Sequence, residues 1–184
     1  MSKSESYVIQ WYGPFVSIED VKEWEEEESS KYNLYIFQAK PKKGKNKYYC
    51  GMTIKQTISK RLKNRNHHIH DFEDASSYSL QIWIGSIVKK SIKSCDVRIC
   101  ENIITSMMAN IGVGEKHLEN QTNKKPPVDN VYLINEWWKK KDRTEINRRL
   151  KNSVPEIIPE AMAYYSETGA LYGISKLKHL GYLQ

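Results

Sequence analysis

The 184-residue chain lacks the features that mark several large protein classes. It has three cysteines, an odd number with no Cys-x-x-Cys pair, which argues against a disulfide framework and against a structural zinc site. Its longest apolar-rich segment, residues 82–88, is far shorter than the roughly 20 apolar residues that cross a bilayer. Residues 1–6 lack the apolar core of a secretory signal. We therefore expect a reduced, cytoplasmic protein that does not enter a membrane.

Acidic residues are missing from one long stretch of the chain. Residues 40–65 contain ten lysines and arginines and no acid, whereas residues 1–30 hold eight acids and two bases. The formal charge of the whole chain is +7, so residues 31–184 carry +13. A basic body with an acidic flank favours binding of a polyanion, and a lysine-rich solvated surface is the alternative reading. Walker and dinucleotide-binding motifs are also missing, and the polyanion that the charge suggests is a nucleic acid.

Apolar periodicity predicts a small α+β core. Residues 32–39 and 48–53 are rich in aromatic and β-branched side chains and flank a loop of Lys, Gly and Asn, which predicts an antiparallel hairpin. Apolar residues at positions 100, 103, 104, 107, 108 and 111 predict a helix with one buried stripe. The remaining core elements that we predict are a basic helix at residues 58–65, opened by Thr57 or Gln56, and strands at residues 78–88, 96–100 and 130–135.

The two flanks are predicted to add elements to this core. Residues 7–15 read as an extra strand, residues 18–30 as an acidic helix, and helices are expected from Thr144 onward and from near Pro155 or Pro159. The predicted organisation is an acidic N-terminal extension packed on the core (residues 1–30), the core (residues 31–127) and a basic C-terminal extension (residues 128–184). The sheet is predicted to be small, mixed or antiparallel, and flanked by helices.

A set of motif-like residues follows a defined order along the core. The first hairpin strand carries Asn33-Leu34-Tyr35 in place of Gly-Ile-Tyr, and the second carries Tyr49-Cys50-Gly51 in place of Tyr-Ile-Gly. Arg61 follows on the basic helix, and Glu101 heads a later one. This order resembles the GIY-YIG nuclease domain. The resemblance covers residues 32–127, about half of the chain, and implies a metal-dependent endonuclease that hydrolyses the phosphodiester bonds of DNA, with double-stranded DNA as the expected partner.

The same residues suit this chemistry in their own right. A carboxylate such as Glu101 is a ligand that Mg²⁺ or Mn²⁺ prefers, and the planar guanidinium of Arg61 suits a phosphate. Tyr35 and Tyr49 are expected on adjacent strands, where their hydroxyls can converge on one site. The resemblance implies that one of them takes a proton from the attacking water, and the sequence does not decide which.

The resemblance also implies a histidine after the arginine and an asparagine after the glutamate. His68, seven residues past Arg61, is the candidate histidine, since it shares a helix face with Arg61 if the helix continues. Asn120 is the nearest asparagine, followed by Asn123 and then Asn110. The residues that we expect to contact the DNA backbone are Lys43, Lys45, Lys47, Lys60, Lys63 and Arg65.

Two other functions fit the sequence. A nucleic-acid-binding module that keeps the fold without the chemistry would need only the basic surface. An interaction protein whose lysines serve solubility would need neither the basic surface nor the polar residues.

Overall fold

The computed structural model describes residues 3–27, 33–41, 46–64, 67–71, 78–110, 126–146, 155 and 157–174. In this part of the chain, seven strands form one mixed sheet and three α-helices flank it. The strands are β1 (Ser4–Phe15), β2 (Leu34–Pro41), β3 (Lys47–Met52), β4 (Tyr78–Ile87), β5 (Asn130–Lys139), β6 (Ala161–Tyr165) and β7 (Ala170–Ile174). The helices are α1 (Ile18–Glu27), α2 (Ile58–Leu62) and α3 (Ser94–Asn110), with a 3₁₀ helix at His68–Asp71. The strand order is β3-β2-β4-β1-β5-β6-β7. No helix of the described residues is long and apolar enough to cross a membrane.

The predicted hairpin is confirmed. β2 and β3 pair antiparallel, with Tyr35 opposite Gly51 and Phe37 opposite Tyr49. β2 also pairs antiparallel with β4, so the backbone of β2 is hydrogen-bonded to a neighbouring strand on each side. β3 is the edge strand at this end of the sheet. Because side chains alternate along a strand, Tyr49 and Gly51 face one side of the sheet and Tyr48 and Cys50 face the other.

The two faces of the sheet bury separate apolar clusters. On one face α3 packs through Cys100, Ile104 and Met108 against a cluster that includes Trp11 and Trp83. On the other face α1 and α2 cover a cluster that includes Phe15, Val21, Tyr35, Phe37, Ile58 and Leu62. The helices on both faces account for the near-continuous burial of β2, whose side chains from Leu34 to Ala39 are all buried.

The N-terminal strand lies in the middle of the sheet. β1 pairs antiparallel with β4 and parallel with β5, so it joins the hairpin half to the C-terminal strands. The predicted strand at residues 7–15 is therefore confirmed, and the acidic helix predicted next is α1. One continuous sheet therefore contains strands from all three predicted segments, the N-terminal extension, the core and the C-terminal extension.

The strand predicted at residues 96–100 is wrong, because these residues form the first turns of α3. Asp96 closes the helix start by accepting the Lys93 N–H at 2.7 Å, and its other oxygen binds the Lys89 ammonium at 2.7 Å. The buried stripe of the helix, predicted from Cys100 onward, extends toward the N-terminus through Val97. Glu101 consequently lies in the second turn of α3 and does not head a helix.

The helices predicted after β5 are also wrong over the described residues. Glu145 forms a β-bridge with Trp138, and the Ile146 N–H donates to the Trp137 carbonyl at 2.7 Å. Beyond Pro159 the chain forms the β6–β7 hairpin, whose turn places Gly169 at a φ of +68°. The buried side chains Met162 and Tyr164 alternate with partly exposed ones, which is a strand period.

Candidate active site

The two motif tyrosines lie side by side on the face covered by α1 and α2. Their ring centroids are 6.1 Å apart with planes at 17°, and both rings stack on Phe37. Tyr35 is fully buried, whereas Tyr49 on the edge strand is partly exposed. Tyr49 is therefore the more exposed residue of the pair.

Position 51 has no room for a side chain, because the Tyr35 ring lies directly over the Gly51 Cα. A Cβ built on Gly51 would come within 2.4 Å of Cζ and 2.5 Å of the hydroxyl oxygen of Tyr35. Such contacts are far below van der Waals distance and the ring is fully buried, so it has no free direction to move. The tyrosine of the first motif and the glycine of the second thus depend on each other sterically.

Replacement of Gly51 by Ala is expected to destabilise the fold by about 3 kcal/mol, since overpacking a tight core costs 1–3 kcal/mol and here the clash is severe. Urea unfolding of the variant measures this. When Tyr35 is already replaced by Ala, the further change Gly51→Ala should lower the free energy of unfolding much less than it does in the wild-type protein, because the clashing ring is gone. A Gly51→Ala protein as stable as wild type would contradict the described packing.

Arg61 reaches this pair of tyrosines from α2. Thr57 caps the helix by accepting the Lys60 N–H at 3.2 Å, and Ile58 and Leu62 anchor it in the apolar cluster. Arg61 acts electrostatically on both tyrosines, and its charge lowers the pKa of Tyr35 and of Tyr49. Burial acts more strongly in the opposite direction, so the pKa of each tyrosine is raised above 10.

A buried histidine, His67, completes the inner side of the site. Its Nε2 lies 2.9 Å from the Tyr35 hydroxyl oxygen, and its Nδ1 accepts the Ile69 N–H at 3.1 Å. Because Nδ1 accepts, the imidazole proton is on Nε2, which donates to Tyr35. Tyr35 therefore accepts a hydrogen bond from His67, and the hydrogen bond that Tyr35 makes with Tyr49 lowers the pKa of Tyr49.

Glu101 approaches from the other side of the sheet. α3 packs on the face that carries Cys50, next to the edge strand, and Glu101 is half-buried there. Its negative charge raises the pKa of Tyr49, in addition to the larger effect of burial. The Glu101 carboxylate is thus an electrostatic neighbour of Tyr49, as the edge position of β3 allows.

The position of His67 was not predicted from the sequence. The argument for His68 required the helix after Arg61 to continue, but α2 ends at Leu62 and a 3₁₀ helix begins at His68. The side chain of His68 lies outside the described residues. The sequence shows His67 only as one of several neighbouring histidines. No periodicity relates His67 to Tyr35, so their contact could not be predicted.

The remaining predicted site residues divide into two groups. Lys47 begins β3, Lys60 is exposed on α2, and Lys63 is exposed at the C-terminal cap of α2, where it pairs with Glu19 at 3.3 Å. Outside the described residues lie Lys43, Lys45, Arg65, Asn120 and Asn123, together with the side chain of Asn110.

Part of the basic C-terminal region contacts α1. Lys140 pairs with Asp20 and lies 5.0 Å from the centroid of the Phe15 ring. Arg143 lies over the Trp24 ring at 5.7 Å, and the Trp24 indole donates to the Lys140 carbonyl at 2.8 Å. The acidic helix therefore partly neutralises this basic region and holds it against the sheet.

The donor set at Glu101 suits magnesium better than zinc. Among the described residues, no three His, Cys, Asp or Glu side chains group as a metal site. Mg²⁺ is commonly held by one or two carboxylates together with water and substrate phosphate, whereas structural zinc needs four protein ligands. A single half-buried carboxylate beside a partly exposed tyrosine fits the former arrangement.

Comparison with known proteins finds no family model, curated protein or solved structure that matches this chain. We therefore infer the function of the protein from the chemistry of its site residues.

Proposed function

We propose that this protein is a metal-dependent DNA endonuclease of the GIY-YIG type. The observation that carries the proposal is that Tyr49, on the edge strand β3, stacks beside Tyr35 and is influenced by the charges of both Arg61 and Glu101. Arg61 lowers and Glu101 raises the pKa of Tyr49, so a cation and a carboxylate both act on the proposed base. Phosphodiester hydrolysis requires these three chemical functions.

In the proposed mechanism, Tyr49 is the general base. It is partly exposed and can meet a water molecule, whereas Tyr35 is fully buried. Tyr49, as its phenolate, takes a proton from the water that attacks phosphorus; the P–O bond to the leaving oxygen breaks, and solvent water protonates that oxygen. The hydrogen bond from Tyr35 stabilises the phenolate form of Tyr49. Tyr35 itself remains neutral because burial raises its pKa.

Arg61 acts on the charge that develops during hydrolysis. Its guanidinium is permanently charged and planar, which suits the oxygens of a pentacovalent phosphorus. Its charge already acts on Tyr35 and on the proposed base Tyr49 in the free protein. His67 holds Tyr35 from the buried side and does not reach solvent, so we assign it a positioning role.

Glu101 would hold the divalent cation, Mg²⁺ or Mn²⁺. A bound cation of this kind neutralises phosphate charge and lowers the pKa of coordinated water. Glu101 places its negative charge next to Tyr49, and this charge opposes phenolate formation until a cation offsets it.

Incubation of supercoiled plasmid with the purified protein and Mg²⁺ or Mn²⁺ tests the proposal. We expect nicked and linear products that disappear when EDTA is added. DNA binding with no cleavage in either metal over a range of salt concentrations would favour the nucleic-acid-binding module. Absence of both binding and cleavage would reject both functions.

The affinity for duplex DNA is expected to fall steeply with salt. Residues 40–65 and 139–151 supply basic groups that release counterions condensed on the phosphates. If six phosphates are contacted, the slope of log affinity against log salt concentration is about −5. Fluorescence anisotropy with a labelled duplex between 50 and 300 mM salt (about a sixfold range) measures this slope. A flat response would remove the premise of polyanion binding.

A further inference from the structure

Glu25 binds the backbone of the helix that carries Arg61. Its Oε1 accepts the Ile58 N–H and its Oε2 accepts the Ser59 N–H, each at 2.8 Å. These are the N–H groups of the first two residues of α2, and Thr57 takes that of Lys60. The N-terminal N–H groups of α2 are thus satisfied largely by a carboxylate from α1, a helix 30 residues earlier in the chain.

The position of α2 depends strongly on this contact because the helix has only five residues. A helix of this length is unstable by itself, so its tertiary contacts determine where it lies. Ile58 and Leu62 anchor one side in the apolar cluster. The ion pair of Lys63 with Glu19 is exposed on both sides and contributes little. The two hydrogen bonds that the half-buried Glu25 carboxylate accepts from the α2 backbone are the stronger polar restraint.

We propose that Glu25 is a positioning residue for Arg61, an inference that rests on the proposed nuclease function. Glu25 binds the N-terminal end of α2, and Arg61 leaves the same helix toward Tyr35. A shift of α2 by about 1 Å would move the guanidinium away from the reacting phosphate, and a displacement of that size lowers rates by up to about 100-fold. The acidic flank therefore takes part in the site and is more than a solvated surface.

Replacement of Glu25 by Gln is expected to lower the cleavage rate at saturating DNA by about 10-fold or more. The amide is nearly isosteric with the carboxylate, but it has one acceptor oxygen and no charge. The DNA affinity should change less than twofold, since Glu25 holds α2 and not the substrate. The matched control is Glu26→Gln, which removes an exposed neighbouring carboxylate paired with Lys22 and should leave the rate unchanged.

A double-mutant cycle separates positioning from a general loss of stability. In an Arg61→Ala background, Glu25→Gln should lower the cleavage rate less than twofold, because the guanidinium that Glu25 positions is already gone. An equal loss in both backgrounds, or an unchanged rate in the single variant, would overturn the inference. If Glu25→Gln does not fold, Glu25→Asp withdraws the carboxylate by one methylene and enters the same cycle with the same expectation.

Side-chain NMR of the free protein provides a readout that does not depend on cleavage. The Nε–H signal of Arg61, assigned by its absence in Arg61→Lys, should shift in Glu25→Gln and stay in place in Glu26→Gln. A wild-type protein that does not cut DNA would reject the nuclease function but leave this measurement intact. An Arg61 signal that is unchanged in Glu25→Gln would reject the positioning role whether or not the protein is a nuclease.

Discussion

Glu101→Gln is expected to lower DNA cleavage by at least about 10³-fold and to leave DNA binding intact. The amide keeps the size of the side chain and can still hydrogen-bond, but it lacks the charge that holds a divalent cation. Binding is expected to stay within about twofold of wild type or to tighten, because a carboxylate that faces phosphates repels them until a cation lies between. Single-turnover cleavage in Mg²⁺ and anisotropy in EDTA measure the two quantities separately.

A matched control for Glu101→Gln is Glu167→Gln, in the exposed turn between β6 and β7. It removes the same charge from the opposite end of the sheet and should leave the cleavage rate unchanged. If Glu101→Gln cuts as fast as wild type, the metal assignment is wrong and the site lies elsewhere.

Tyr49→Phe is expected to lower the cleavage rate by about 10²- to 10⁴-fold, the range that loss of a general base produces. The substitution removes one hydroxyl and keeps the ring that stacks on Tyr35 and Phe37. The melting temperature should therefore change little. Tyr48→Phe is the matched control, since Tyr48 lies on the same strand but faces α3, and it should cut at the wild-type rate.

The pH dependence of wild type provides a second test of Tyr49. Burial raises its pKa above 10, so the reactive phenolate is a small fraction at neutral pH and grows tenfold per pH unit. The single-turnover rate should rise with a slope near one on a logarithmic scale between about pH 6.5 and 8.5. A flat wild-type profile, or a Tyr49→Phe protein with an unchanged rate, would exclude Tyr49 as the base.

The hairpin half of the fold could be predicted because its signals are local. Residues 32–39 and 48–53 pair across a turn only a few residues long, so strand composition and loop chemistry suffice. The start of α3 and the C-terminal hairpin were mispredicted for a different reason. Asp96 closes its helix with partners on β1 and the β4–α3 connection, and β6 finds its place only against β5. Such long-range contacts override the local pattern that the sequence displays.

The candidate site divides in the same way. Tyr35, Tyr49, Arg61 and Glu101 were predicted from residue type and order; the two tyrosine rings stack on each other, and the charges of Arg61 and Glu101 act on Tyr49. His67 and Glu25 were not chosen, because each acts through a contact that no sequence spacing encodes. His67 reaches Tyr35 across an intervening helix, and Glu25 joins α1 to α2 over a separation of 33 residues. The sequence displays charge and aromatic content, whereas burial and hydrogen-bond partners appear only in the fold.

The most direct test of the proposed site is a crystal structure of Glu101→Gln bound to a duplex that wild type cuts. We predict that one phosphate lies within hydrogen-bond distance of the Arg61 guanidinium and that a water molecule bridges this phosphate to the Tyr49 hydroxyl. The cleaved bond, mapped independently by sequencing the product ends, should be at that phosphate. DNA seated on another surface, such as the exposed face of Tyr132, Tyr165 and Tyr172 at the other end of the sheet, would contradict the account.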